Sequence, residues 1–290
     1  MPVTQSPLRY PGGKTQLFKF VRNLIEINEI KHSTYIEPFA GGAGVALELL
    51  FSNSVENIVI NDYDKSIHSV WYAIINHTDE FIRLIETVPI TIDEWHRQRS
   101  IYLDKKNSMN SVEGGFATFY LNRTNVSGII NGGPIGGKAQ NGKYKLDCRY
   151  NKSGLIKKIK KIADYKSRIT LYRKDANNLI DLILERYNSN NCFVFFDPPY
   201  YVQGQNLYLS FILKSEHQKM KNSIDKLNDY YWITTYDKSP HIADVYNDTE
   251  QKFEYNLNYS ANKRKIATEY LFASKKTKIE SFDKVNLLRI

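Results

Sequence analysis

The sequence predicts an α/β fold, a mainly parallel central sheet interrupted by a mostly helical insert. Three observations predict it. Short apolar runs alternate with helical patterns toward both ends of the chain. That rhythm breaks between Lys65 and Arg168, where helical patterns dominate. The first apolar run also opens into a glycine-rich turn with a helix behind it, a local form that lets backbone approach a ligand.

The elements follow in order. Pro11-Gly12-Gly13 makes a turn, and Lys14 starts a helix. Tyr35–Phe39 reads as a strand, Ala43–Phe51 as the helix behind it, and Asn57–Asn61 as a second strand. Helical patterns then cover Lys65–Ile75 and Ile92–Tyr102. A loop of Gly, Asn and Ser runs from Asn122 to Gly142; a loop that long without structure of its own is usually functional or mobile. Leu155 to Ile162 is amphipathic and basic. Further strands are expected at Ile169–Tyr172, Cys192–Phe196, Tyr231–Thr235 and Glu269–Ala273, with one more at Lys252–Tyr259. Helices are expected between them at Asn177–Arg186, Glu216–Leu227 and His241–Tyr246. The chain thus divides into a discontinuous α/β domain, residues 1–64 and 169–290, and an insert, residues 65–168.

Composition narrows the class. The 290 residues are 42% hydrophobic and 24% charged, as in soluble globular proteins. No apolar run approaches the roughly 20 residues a membrane span needs. Met1 to Pro7 has neither a basic nor an apolar region, so no secretory signal is expected there. Two cysteines, Cys148 and Cys192, argue against a disulfide framework and fit a reducing cytoplasm. Without a CxxC pair or a His/Cys cluster, no metal site is expected. The net charge of +9 lies in one stretch: residues 138–168 hold 11 Lys and Arg against 2 Asp and Glu. Such a stretch is either a solvated basic face or a seat for a polyanion.

Two motifs stand where strands end. Glu37-Pro38-Phe39-Ala40-Gly41-Gly42-Ala43-Gly44 follows the first strand, and Asn61-Asp62-Tyr63-Asp64 ends the second. An acidic residue there can accept hydrogen bonds from both hydroxyls of a ribose. Asp62 is the better placed, while Asp64 suits a helix N-cap. Lys14 can pair with a carboxylate, and Tyr10 can cover a ring face. Gly13-Lys14-Thr15 is not a phosphate loop, because position 8 is Leu8 where that motif needs glycine.

The other end is more informative. Cys192–Phe196 runs into Asp197-Pro198-Pro199-Tyr200. The prolines stiffen the turn and cannot continue a ladder, which leaves carbonyls free to accept. Asp197 adds an acceptor and Tyr200 a stacking face. Such a pocket suits an exocyclic amine. Two acceptors that hold both amine hydrogens draw the nitrogen toward tetrahedral geometry, freeing its lone pair for in-line attack on a sulfonium methyl.

Asp197-Pro198-Pro199-Tyr200 resembles the catalytic motif of amino-group DNA methyltransferases. With Arg9-Tyr10-Pro11-Gly12-Gly13-Lys14 ahead of Glu37-Pro38-Phe39-Ala40-Gly41-Gly42, the order resembles that of Dam-type N6-adenine methyltransferases. Asn61-Asp62 is similar to the family's second acidic motif, Leu121-Asn122-Arg123 to the start of its DNA-reading insert, and Tyr259–Ile266 and Thr268-Glu269-Tyr270-Leu271 to its late hairpin and last strand. The resemblance implies a Rossmann-like S-adenosylmethionine-dependent methyltransferase sheet with a DNA-recognition insert. It implies that Tyr10, Lys14, Glu37, Phe39, Ala40, Gly41, Gly42, Asp62, Asp175 and Asp197 contact S-adenosylmethionine. Asp175 suits a helix N-cap equally well. Asp197, Pro198, Pro199 and Tyr200 would hold a target adenine.

Because that amine lies inside the duplex, the base must be turned out of double-stranded DNA. Asn122, Arg123 and Asn125 are expected to read base edges. Lys138, Lys143 and Lys157 are expected on phosphates. Lys263 and Arg264 suit either DNA backbone or a solvated hairpin tip. Past Arg123 the insert departs from the Dam pattern, which leaves the recognition sequence open. A monomer is expected, with a restriction endonuclease as one functional partner such a chain can have. Cytosine-N4 methylation is the nearest chemical alternative, although its enzymes more often carry Ser-Pro-Pro-Tyr. A DNA-binding protein that keeps the fold without turnover is another. A cytosine-C5 enzyme needs a cysteine nucleophile, and neither Cys148 nor Cys192 lies in a Pro-Cys loop.

Overall fold

The computed structural model describes residues 4–9, 14–200, 214–259 and 265–290. A 3₁₀ turn, Thr15–Leu17, capped at Lys14, leads into α1 (Phe18–Ile27). Then come β1 (Thr34–Glu37), α2 (Gly44–Phe51) and β2 (Asn57–Asn61). A helical stretch follows: α3 (Lys65–Asn76), α4 (Thr78–Thr87), α5 (Ile92–Lys105), α6 (Val112–Thr124) and α7 (Lys152–Asp164). The chain returns to the sheet through β3 (Ile169–Tyr172), α8 (Ala176–Arg186), β4 (Cys192–Phe196), α9 (Lys214–Ile224) and β5 (Tyr231–Asp237). It finishes with α10 (Pro240–Val245), β6 (Gln251–Tyr259), β7 (Lys265–Ala273) and the short β8 (Leu288–Arg289).

Among the described residues the strands form one eight-stranded sheet, ordered β3-β2-β1-β4-β5-β7-β6-β8. The pairs from β3 through β5 are parallel, and those involving β7, β6 and β8 are antiparallel. The chain therefore starts at the centre with β1, winds out to β3, and resumes beside β1 at β4. The carboxyl ends of β1 and β4 flank the point where winding reverses, the crevice where such sheets bind ligands. This is the predicted α/β architecture of the Rossmann-like methyltransferase type.

Side-chain alternation seals both faces. Tyr35, Ile58, Phe193 and Ile233 enter one apolar cluster, and Ile36, Val59, Val194 and Trp232 enter the other. The helical stretch has no separate core. Phe81, Phe116, Phe119 and Ile159 belong to the same cluster as Leu47, Ile58 and Phe193. Gly115 lets α6 sit close on α3, because a Cβ there would lie 2.4 Å from the Ser69 carbonyl oxygen. No helix among the described residues is long and apolar enough to cross a membrane.

Differences from the predicted elements have local causes. β1 stops at Glu37 because Pro38 cannot donate to a ladder. β7 starts four residues before the expected Glu269, since β6 pairs it from Lys265 onward. α6 is an element the sequence pattern does not predict, and it absorbs Asn122–Thr124, the start of the predicted loop. The rest of that loop is stitched together: Val126 N donates to Gly133 O, Ile135 N to Thr124 O, and Gln140 Nε2 to Ile135 O.

Candidate active site at the carboxyl edge of the sheet

The turn after β1 is built against β2. Ala40 N donates to Asn61 O at 2.9 Å, and Gly41 N donates to Asp62 Oδ2 at 2.9 Å. Ala43 adopts φ 47° and hands the chain to α2. Gly44 permits the close seat of α2 on the N-terminal segment; a Cβ there would fall 2.1 Å from Thr15 Oγ1. Asp62 Oδ1 accepts from Asp64 N at 3.0 Å, and Asp64 caps α3 by accepting from Ser66 N and Ile67 N. Burial, followed by the Asp64 charge, pushes the Asp62 carboxyl up to about 7. Phe39 packs against the second apolar cluster, and Ala40 is 8% exposed.

Glu37, expected on the cofactor, stands at the end of β1. Its carboxyl lies beneath the turn, buried, with Oε1 accepting from the Tyr35 hydroxyl at 2.8 Å and Ala46 N at 3.1 Å. It anchors the start of α2 from inside the protein. Burial pushes it up to about 8. Asp175 is exposed and caps α8 through Asn177 N at 2.9 Å. Asn61 accepts from Lys174 N and donates to the carbonyls of Pro38 and Lys174, tying the exits of β1 and β3 together.

The second half of the site gathers around Asp197. Lys14 Nζ, buried, sits 3.2 Å from Asp197 Oδ1 and 3.8 Å from Glu269 Oε1. It also lies 4.5 Å from the centre of the Tyr200 ring. Thr235, from β5, donates its hydroxyl to the same Asp197 Oδ1 at 2.9 Å. No hydrogen bond to Oδ2 is made among the described residues. Burial pushes the Asp197 carboxyl up, and Lys14 offsets part of that. Glu269 accepts from the Tyr200 hydroxyl at 2.8 Å and the Tyr255 hydroxyl at 2.6 Å. Two carboxyls thus share one ammonium beside an aromatic face.

Sequence reasoning places Lys14, Asp197 and Tyr200 in the site, and the fold brings these three together. It misses Thr235 and Glu269. The signal for Glu269 is a lone carboxylate within the apolar run leading to Tyr270-Leu271-Phe272-Ala273. Thr235 carries no such signal. Pro198 and Pro199 follow β4 as expected. Tyr10, Lys263 and Arg264 lie outside the described residues.

The expectation that Asn122 and Asn125 read base edges does not fit the structure. Asn122 accepts from Arg9 N and donates to Arg9 O and Gly128 O. Asn125 accepts from Trp95 Nε1 and donates to Ile129 O and Ile130 O. Both are buried, with their amides engaged inside the protein. Arg123 Nη2 donates to Arg149 O and Nη1 to Pro7 O, clamping the N-terminal segment to the insert. Lys138, Lys143 and Lys157 are exposed, as phosphate contacts require.

An acidic residue at the exit of β2 and an Asp-Pro-Pro-Tyr turn at the exit of β4, on a sheet of this order, define the class of amino-group methyltransferases. A family model described as D12 class N6 adenine-specific DNA methyltransferase matches residues 10–266. The chain belongs to that family. It is 26% identical over 274 residues to the type II methyltransferase M.CviBI of Paramecium bursaria Chlorella virus NC1A, covering 91% of this chain and 96% of that one. It is 24% identical over 205 residues to the type II methyltransferase M.MjaIII of Methanocaldococcus jannaschii, covering 67% and 68%. An rRNA methyltransferase structure from Streptomyces viridochromogenes aligns with a TM-score of 0.38 and 11% identity, over 92% of this chain and 87% of its own.

Proposed function

We propose that the chain transfers the methyl group of S-adenosylmethionine to N6 of an adenine turned out of double-stranded DNA. The observation that carries this reading is the Lys14–Asp197 pair at 3.2 Å. It joins the N-terminal motif to the Asp-Pro-Pro-Tyr turn, beside Tyr200 and at the switch point of the sheet.

The residues present fit the cofactor. Asp62 offers a desolvated carboxyl to ribose hydroxyls, and the Phe39–Gly42 turn offers close-lying backbone to the nucleoside. Two carboxyls sharing one ammonium suit a cationic sulfur. Bound there, S-adenosylmethionine supplies a methyl on a positively charged sulfur, open to in-line displacement. The protein's part is positioning. Lys14 and Thr235 hold Asp197 by Oδ1, which leaves Oδ2 to accept one amine hydrogen. The Pro198 carbonyl accepts the other, on a turn that Pro199 stiffens. Tyr200 stacks on the base and replaces part of the stacking lost on flipping, which costs a few kcal/mol. The methylated nitrogen must lose a proton, and Asp197, its carboxyl raised by burial, is the nearest base.

The helical segment 65–168 is proposed to carry target recognition, with Lys138, Lys143 and Lys157 on phosphates. Relatives named type II methyltransferases support a role beside a restriction endonuclease. A monomer acting on DNA in the cytoplasm fits this reading. Incubation with labelled S-adenosylmethionine and unmethylated DNA, followed by digestion to nucleosides, tests it. Label is expected in N6-methyladenine. Label in N4-methylcytosine alone, or none in DNA, refutes the adenine assignment.

A further inference from the structure

We propose that Glu269 is a positioning residue of the base pocket, fixing the Tyr200 ring through its hydroxyl while holding the Lys14 ammonium that orients Asp197. This rests on the methyltransferase reading of the same site.

Glu269 is 1% exposed and sits in β7, between β5 and β6, opposite Asp237 and Tyr255. A carboxylate in such a place is costly unless donors converge on it. Among the described residues, donors to it include the Tyr200 hydroxyl at 2.8 Å, the Tyr255 hydroxyl at 2.6 Å and Lys14 Nζ at 3.8 Å. Tyr200 and Lys14 are site residues that come from distant parts of the chain. An apolar residue would fill the same strand position at lower cost, so packing alone does not account for a carboxylate there. Through Oε1 the group meets both the tip of the stacking ring and the cation on Asp197. Those two parts have to agree within a fraction of an ångström for the amine to sit on Asp197 while its ring lies on Tyr200. Glu269 ties the ring hydroxyl to the ammonium, and it is anchored from behind by Tyr255.

The test uses the full chain with S-adenosylmethionine and a duplex that carries 2-aminopurine at the target position, alongside an adenine duplex. Glu269→Gln keeps one acceptor oxygen where the two tyrosine hydroxyls had two, and removes the charge that holds Lys14. Its single-turnover methylation at saturating cofactor is expected to fall about 10- to 100-fold, with KM for DNA within about twofold of the parent. The 2-aminopurine signal is expected to rise, because the flipped base loses its fixed stacking partner. Tyr200→Phe keeps the ring and removes the bond to Glu269, so it is expected to show part of the same loss. The two changes together are expected to be less than additive. A Glu269→Gln enzyme with the parent's rate and fluorescence overturns the proposal, whatever its melting temperature, and so does full additivity. If Glu269→Gln does not fold, Tyr200→Phe decides: a parental rate overturns the proposal, and a loss at unchanged KM supports it. A parent chain that makes no N6-methyladenine overturns the underlying reading instead, so the two failures are told apart.

Discussion

A carboxyl group with little water around it resists ionisation, and this site has two, Glu37 buried beneath the turn and Asp62 half-buried at its edge. Glu37 is pushed from 4.5 up to about 8 and Asp62 from 3.8 up to about 7, in both cases chiefly by burial. As pH rises from about 4 to about 8, the unfolded chain releases these protons before the folded one does. Stability is therefore expected to fall across that window and to level off above it. Glu37→Gln keeps an acceptor for Tyr35 and Ala46 and removes the ionisation cost. It is expected to match the parent near pH 4 and to exceed it by a few kcal/mol at pH 9, read from melting curves. A variant less stable than the parent at pH 9 contradicts the account. Asp62 has a functional side as well. Its ionised form is the better acceptor for ribose hydroxyls, so cofactor affinity is expected to tighten from pH 6 to pH 8, and Asp62→Ala should erase that dependence; calorimetry at several pH values measures both. At this scale the sequence is legible where chemistry is local: Asp197, Tyr200 and Lys14 declare themselves by motif. Glu269 shows only as a lone carboxylate in an apolar run and Thr235 not at all; strand pairing across long stretches of chain is what brings both to the site.

Elements are legible where apolar periodicity is clean. β2, β3 and β4 fall where the sequence places them, because each is an apolar run closed by polar residues. α6 carries Gly114-Gly115, residues of low helix propensity, of which Gly115 serves its close packing on α3 and Gly114 faces Lys105 of α5. With that helix hidden, Asn122 and Asn125 read as parts of a base-reading loop. They are instead the C-terminal lock of α6. Asn125→Ala leaves the Trp95 indole N–H and the Ile130 carbonyl without the amide, a cost of roughly 1–3 kcal/mol for each buried group so left, while the Ile129 carbonyl keeps its bond from Gly132 N. The expected outcome is a clear drop in melting temperature with an unchanged sequence preference in the DNA that is methylated. A folded Asn125→Ala enzyme that methylates different sites restores the base-reading role.

The whole molecule places its two motifs side by side by reversing its winding between β1 and β4, and it places its excess charge on one helical segment. Charge is legible in the sequence because it is concentrated; its direction is not, since that depends on how α7 seats Leu155, Ile159 and Ile162 in the core and leaves Lys157 and Lys160 outside. If those lysines neutralise phosphates, replacing both with alanine is expected to lower the slope of log affinity against log salt by about 0.9 for each phosphate no longer neutralised, equally for specific and random DNA. An unchanged slope means that the duplex lies elsewhere. The central claim is that Asp197 grips the amine of adenine, and the most direct measurement is the single-turnover rate of N6-methyladenine formation by Asp197→Asn, with cofactor binding followed in parallel. A fall of about 100-fold or more with the cofactor still bound is expected; a rate near that of the parent contradicts it.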